Sequence, residues 1–193
     1  DAAHACEKMG CPVVMKIISP QIVHKSDAGG VIVGIGSRKA ALSAFTKIID
    51  GAKAYDPAAE IEGVMVEQQA EPGLELIIGG KTDPAFGKVI TFGIGGTMVE
   101  LLKDVTLRIL PVTEDEIRRM IREINSYPLI AGYRGAKPRD EEELVKIIGN
   151  ISRFFMENDN VVEFDINPLR LYEKGACAVD ARIIITDKVQ QVK

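Results

Sequence analysis

Apolar residues along this chain fall into two rhythms, one helical and one alternating, separated by glycine and proline punctuation. Residues 2–9 carry a helical pattern that Gly10 closes, because glycine takes the left-handed conformation favoured just past a helix. Pro12 to Ile18 is a valine- and isoleucine-rich run, which predicts a strand with Lys16 set among apolar neighbours. Residues 19–30 are polar and glycine-punctuated, a loop, and Val31–Ile35 predicts a second strand. Leu42, Phe45, Ile48 and Ile49 fall at helical spacing and predict a helix from about Ser37 to Lys53. Ile61–Gln69 and Leu74–Gly80 predict two strands joined by a turn at Pro72-Gly73. Val89–Gly93 predicts another, ending in the cluster Gly93, Gly95 and Gly96.

The second half carries two helix starts. Thr113 with Glu116 has the spacing of a capping box, followed by Ile117, Met120, Ile121 and Ile124 on one face. Asp140 with Glu143 repeats the device ahead of Leu144, Ile147, Ile148, Ile151, Phe154 and Phe155. Between them, Pro128, Gly132, Gly135 and Pro138 predict a loop over residues 127–139. Strands are predicted at Val161–Asn167, Leu169–Tyr172 and Ala176–Ile185, with a turn at Lys174-Gly175. No internal repeat is visible. Helices interspersed with hairpin-like strand pairs predict an α+β fold in place of regular βαβ winding.

Composition narrows this only a little. A length of 193 residues fits one domain or two small lobes. With 46% hydrophobic and 27% charged residues the chain is neither disordered nor collagen-like. A formal charge of −4 gives no general attraction for nucleic acid or anionic membrane. Cys6, Cys11 and Cys177 are an odd count and read as reduced thiols of a cytoplasmic protein. No uncharged apolar stretch reaches the roughly 18 residues of a membrane span. The chain opens at Asp1, inside an amphipathic pattern and without methionine, which predicts a fragment.

Several chemistries fail at once. The cluster Gly93-Ile94-Gly95-Gly96-Thr97-Met98 lacks the third glycine of a dinucleotide fingerprint, and no phosphate loop or zinc spacing occurs. The segment His24-Lys25-Ser26-Asp27-Ala28-Gly29-Gly30 is more informative. A lysine beside small, glycine-rich backbone can wrap polyphosphate with amide donors, although a solvated turn has the same composition. Lys16 tips the balance, since a lysine within an apolar strand needs either an anionic partner or an edge position. Towards the other end, alternation puts Val162, Phe164 and Ile166 on one face of a strand and Glu163, Asp165 and Asn167 on the other, with Asp180 and Arg182 across the hairpin. Hard oxygens on adjacent strands suit a magnesium ion bound to phosphates, and a plain solvated face is the alternative.

Four segments, PVVMKIISPQIVHKSDAGGV, VMVEQQAEPGLELIIGGKTDPAFG, FGIGGTMVELLKDVTLRILP and VEFDINPLRLYEKGACAVDARI, together resemble the ATP-grasp part of ADP-forming acyl-CoA synthetases. That group includes the β subunit of ADP-forming acetyl-CoA synthetase, a relative of succinyl-CoA synthetase β. The resemblance implies an ATP-grasp fold whose two lobes clamp a nucleotide. Residues 1–70 would be a small lid lobe incomplete at its N-terminus, and residues 71–193 the large lobe. It implies that Lys16 meets the α-phosphate, that Lys25 with Gly29 and Gly30 covers the phosphates, and that Glu67, Gln68 and Ala70 meet adenine. Glu75 would face the nucleotide, Asn167 and Asp180 would hold Mg2+, and Asp165 would orient an incoming phosphohistidine. His24 stands where the acetyl-CoA synthetase group has a second, mobile phosphate-carrying histidine, whereas His4 keeps the bland reading of a surface residue. The implied ligands are ATP or ADP with Mg2+. The implied partner is a CoA-binding α subunit or fused domain bearing the first phosphohistidine, in an α2β2 arrangement, with neither nucleic acid nor membrane involved. Two rivals share the fold: a carboxylate–amine ligase with no histidine relay, and a nucleotide-sensing module of a fused acyltransferase.

Overall fold

The run Val13–Ile18 forms β1, the middle strand of a three-stranded sheet, in a computed structural model that describes residues 2–9, 12–22, 25–96 and 103–186. The chain divides into two compact units, Asp1–Glu71 and Pro72–Lys193. In the first, α1 (Ala2–Met9) and β1 are followed by β2 (Val31–Ile35), α2 (Arg38–Tyr55) and β3 (Gly63–Gln68). The strand order is β2-β1-β3, all antiparallel, so Lys16 is not on an edge.

Val13, Met15 and Ile17 point to one side of β1 and pack with Ala41, Ala44, Ile48 and Ala52 of α2. Ser37 caps that helix by accepting from the Ala40 amide at 3.2 Å. The buried stripe of α2 is therefore mostly alanine, while Leu42 and Phe45, expected to face the core, are 54% and 41% exposed. The helix also approaches the preceding turn closely: a Cβ at Gly51 of α2 would stand 3.0 Å from the Ala28 carbonyl oxygen.

The second unit runs β4 (Leu74–Asp83), β5 (Gly87–Ile94), β6 (Val105–Ile109), α3 (Glu114–Glu123), α4 (Tyr127–Ala131), α5 (Glu141–Glu157), β7 (Val161–Leu171), β8 (Ala176–Ala178) and β9 (Ala181–Ile185). Its antiparallel sheet has the order β6-β5-β4-β7-β8, with β9 also paired to β7. Ile117, Met120 and Ile121 of α3 and Leu144, Ile148 and Phe155 of α5 form one core with Leu76, Ile78, Ile90, Phe92 and Phe164 of the sheet. Thr113 and Glu116 form the reciprocal capping box, and Asp140 caps α5 through the Glu143 amide at 3.0 Å.

Five expectations change. β6 was not anticipated, and α4 occupies part of the stretch predicted as loop. The strands predicted at 161–167 and 169–172 are one, because Asn167 and Pro168 together oppose Ile77 in a bulge, where a proline costs no ladder bond. The last predicted strand is broken at Val179 and Asp180, which bond to that bulge: Val179 N–H donates to the Pro168 carbonyl and Asn167 N–H to the Asp180 carbonyl. A second irregularity near Val161 sends Val161 and Phe164 to the core, not Val162. Among the described residues no helix is long and apolar enough to cross a membrane.

Candidate functional site

Polar groups gather at one place in each unit. In the first, Lys16 leaves the core side of β1 and shares the other face with Val14, yet is only 6% exposed. Its Nζ lies 2.6 Å from Glu67 Oε2 on β3, a diagonal pair, since Val14 stands opposite Glu67 and Lys16 opposite Met65. The structure thus brings Lys16 and Glu67 together. Gln68, one residue on, takes the opposite face by strand alternation. Ala70 follows a segment tied down by Gln69, whose Oε1 accepts the Gly34 amide at 2.6 Å and whose N–H donates to the Pro12 carbonyl.

Lys25 to Gly30 is a closed turn. Gly30 N–H donates to the Lys25 carbonyl at 2.7 Å and Gly29 N–H to the Ser26 carbonyl at 3.1 Å, with Gly29 at φ +63°. This bonding pattern ends helices, and it uses both glycine amides inside the turn. Gly30 has a packing role, because a Cβ there would lie 2.5 Å from Ile17 Cγ2. His24 lies outside the described residues; on either side, Ile22 and Ala28 are buried in the unit's core.

In the second unit, Glu75 stands directly opposite Arg170, whose Nε and Nη2 donate to its Oε1 at 3.1 and 3.0 Å. The Glu75 carbonyl accepts the Gly95 amide at 2.8 Å, and the Gly96 amide donates to Asn167 Oδ1 at 2.9 Å. Asn167 N–H reaches the Asp180 carbonyl, while Asp180 Oδ1 accepts the Ala181 amide at 3.1 Å. Asp165 stands between Gly79 on β4 and Arg182 on β9. Burial pushes its carboxyl above the usual range, Arg182 opposes this, and the charges of Glu163 and Asp180 add to it. Arg182 also pairs with Glu163 at 3.0 Å.

Glu75, Asn167 and Asp180 are thereby connected through one network, with Asp165 close by. Arg170 and the Gly95-Gly96 turn were missed by sequence reasoning; the glycine cluster was the signal, discarded because it fits no dinucleotide fingerprint. Among the described residues no three His, Cys, Asp or Glu side chains converge on a metal position. The oxygens present still fit magnesium. The amide oxygen of Asn167 keeps a second lone pair beside its bond to Gly96, and a carboxylate follows at Asp180. That is the short, hard donor set of an ion that takes most of its ligands from phosphates and water.

Residues 1–185 match the ATP-grasp domain family. The chain belongs to that family. It is 47% identical over 178 residues to the β subunit of Acetate--CoA ligase [ADP-forming] I from Pyrococcus furiosus, covering 92% of this chain and 77% of that one. It is 40% identical to Acetate--CoA ligase [ADP-forming] I of Archaeoglobus fulgidus, where 98% of this chain spans only 27% of the longer protein. Among solved structures it resembles the dinucleotide forming acetyl-coenzyme A synthetase 1 of Ca. Korarchaeum cryptofilum in complex with coenzyme A, Ca-AMPCP and HgCl+. That match has a TM-score of 0.91 and 44% identity, covering 96% of this chain and 81% of the other. A second structure of that protein holds coenzyme A and Mg-AMPPCP, with its phosphohistidine segment pointing towards the nucleotide binding site; here the TM-score is 0.82 and the identity 40%, over 96% of this chain and 81% of that one. The chain is an ATP-grasp domain homologous to the β subunits of ADP-forming acetyl-CoA synthetases.

Proposed function

We propose that this chain is the nucleotide-handling part of an ADP-forming acyl-CoA synthetase, acid–CoA ligase chemistry completed by a CoA-binding α subunit or fused domain. The observation that carries the reading is Lys16, an ammonium withdrawn from water on a middle strand beside Glu67, within a chain of this family. An ammonium held there is poised for a phosphate, and Lys25 adds a second positive charge on the next loop. Glu67, Gln68 and Ala70 meet the base, Glu75 lines the nucleotide's surroundings, and Asn167 and Asp180 hold Mg2+. Bound magnesium neutralises phosphate charge as the phosphoryl group moves.

The reaction is a relay. On the partner, inorganic phosphate displaces CoA from acyl-CoA to give an acyl phosphate, and its phosphoryl group passes to a partner histidine as the carboxylate leaves. Transfer to His24 as carrier breaks that P–N bond as a second P–N bond forms, and transfer onward breaks the His24 P–N bond as a P–O bond forms to the terminal phosphate oxygen of ADP. Asp165 orients the incoming phosphohistidine by accepting from the ring nitrogen opposite the phosphoryl group. The reverse direction consumes ATP. Catalysis here is positioning and charge neutralisation, with the cytoplasm as setting.

The test is phosphohistidine labelling with the cognate CoA-binding partner, acyl-CoA and phosphate. Acid-labile phosphate on His24, lost in His24→Asn together with ATP formation while nucleotide still binds, is the expected result. Full turnover by His24→Asn would remove the carrier role, and no labelling under turnover would favour a ligase without a relay.

A further inference from the structure

We infer that Arg170 is a positioning residue for the cation end of the nucleotide site, acting through Glu75 and the Gly95-Gly96 turn on Asn167. The inference rests on the magnesium role proposed above for Asn167.

Arg170 places two donors on a single oxygen, Glu75 Oε1, at 3.1 and 3.0 Å. A planar guanidinium can do this from across the strand pair, and a lysine offers only one compact charge. With Oε1 held, the second oxygen lies against Gly96: a Cβ there would stand 2.1 Å from Oε2. Gly96 has φ +66°, so both the backbone conformation and the space demand glycine. The turn is then pinned from two strands, Gly95 N–H on the Glu75 carbonyl at 2.8 Å and Gly96 N–H on Asn167 Oδ1 at 2.9 Å.

That last bond fixes which way the Asn167 amide faces. A carboxamide can present either an oxygen or an NH2 group, and only the oxygen can bind a cation. By accepting the Gly96 amide the oxygen is held on the turn side with a lone pair to spare. Arg170 acts at one remove: it holds the Glu75 carboxylate beside the turn that orients the amide. Partners of this kind typically change metal affinity by about 10–100-fold.

The experiment titrates the full chain with a fluorescent ADP analogue, once in Mg2+ and once in EDTA, with thermal melts as a folding control. Arg170→Ala is expected to weaken binding about tenfold in Mg2+ and to leave binding in EDTA unchanged, with partial recovery in Arg170→Lys. Gly96→Ala, which drives a methyl group into Glu75 Oε2 while leaving Arg170 in place, is expected to reproduce the magnesium-specific loss. Equal weakening with and without Mg2+, or wild-type binding by either Arg170→Ala or Gly96→Ala, would overturn the inference alone. A wild-type chain whose binding ignores Mg2+ would overturn the proposed magnesium site and this inference with it.

Discussion

Asp104 is only 7% exposed, and burial alone would raise its carboxyl pKa. Its pKa is instead lowered, because hydrogen bonds from Ser126 and Asn125 outweigh that penalty. The carboxylate accepts the Asn125 amide at 2.8 Å, the Asn125 side chain at 3.1 Å and the Ser126 amide at 2.7 Å. It thereby fixes the turn between α3 and α4. Asp104→Ala strands these buried donors and is expected to cost about 2–3 kcal/mol in urea unfolding. A carboxyl with a lowered folded pKa contributes stability above its unfolded value and loses it as pH falls through the folded one. Wild type should therefore lose this contribution in acid below the ordinary aspartate value of 3.8, and Asp104→Asn should lose less stability over the same range. Equal acid sensitivity in the two proteins would refute the assignment. Lys16 is the contrasting case, a buried ammonium that the proposed function assigns to a phosphate. Its partner Glu67 keeps a side-chain exposure of 36%, so removing the lysine leaves that carboxylate hydrated. Lys16→Met is expected to melt within a few degrees of wild type while nucleotide affinity falls about tenfold or more, read by calorimetric titration.

Elements differ in how far local sequence decides them. Ser37 caps α2, which was read from its apolar spacing, and the starts of α3 and α5 were legible because a capping side chain bonds an amide three residues on, as Thr113 and Asp140 do. The buried face of α2 was not, because its contact is alanine, and a search for large apolar residues selects Leu42 and Phe45 on the outside. β6 escaped notice because Val105, Leu107 and Ile109 sit on one face with Thr106 and Arg108 between them, a pattern too short to stand out without the sheet. At the candidate site, Glu67 came only from the family resemblance, whereas Lys16 and Asn167 could be picked out as residue types in suggestive settings. Arg170 could not, since its meaning comes from Glu75, 95 residues away. The 25–30 turn was legible as a glycine loop but not in its bonding, which follows from Gly29 at φ +63° and from Ile17 beneath Gly30. Gly29→Ala should therefore cost about 1 kcal/mol through backbone strain. Gly30→Ala should cost about 1–3 kcal/mol, since Ile17 and the Lys25 carbonyl must both give way. Denaturant midpoints for the two variants check the ranking, and a larger effect at Gly29 would contradict it.

At the scale of the whole molecule, the described residues form two separate hydrophobic clusters with no residue in common. The larger belongs to Pro72–Lys193 and joins β4, β5 and β7 to α3 and α5, with the end of α5 held by Lys88, whose Nζ donates to the carbonyls of Phe155 and Asn158. The smaller rests on three strands and α2, with alanine supplying four of the ten core residues on the helix side and in the turn beneath it beyond Ile48: Ala28, Ala41, Ala44 and Ala52 contribute little apolar area each. The buried fraction falls as chains get shorter, so a unit of this length with an alanine-rich core is close to the limit of independent folding. Residues 72–193 expressed alone are therefore expected to unfold in one cooperative urea transition with native-like near-ultraviolet circular dichroism. Residues 1–71 alone should give a shallow transition and bind hydrophobic dye, the signs of a core that does not hold its packing. The intact chain should then show its less stable transition in the first unit. A nucleotide that engages Lys16 should raise that transition by mass action, and Lys16→Met should abolish the rise without shifting the ligand-free midpoint. A cooperative, dye-excluding 1–71 fragment would refute the division of stability, whereas an unchanged first transition at saturating Mg-ATP would count against the nucleotide role of Lys16.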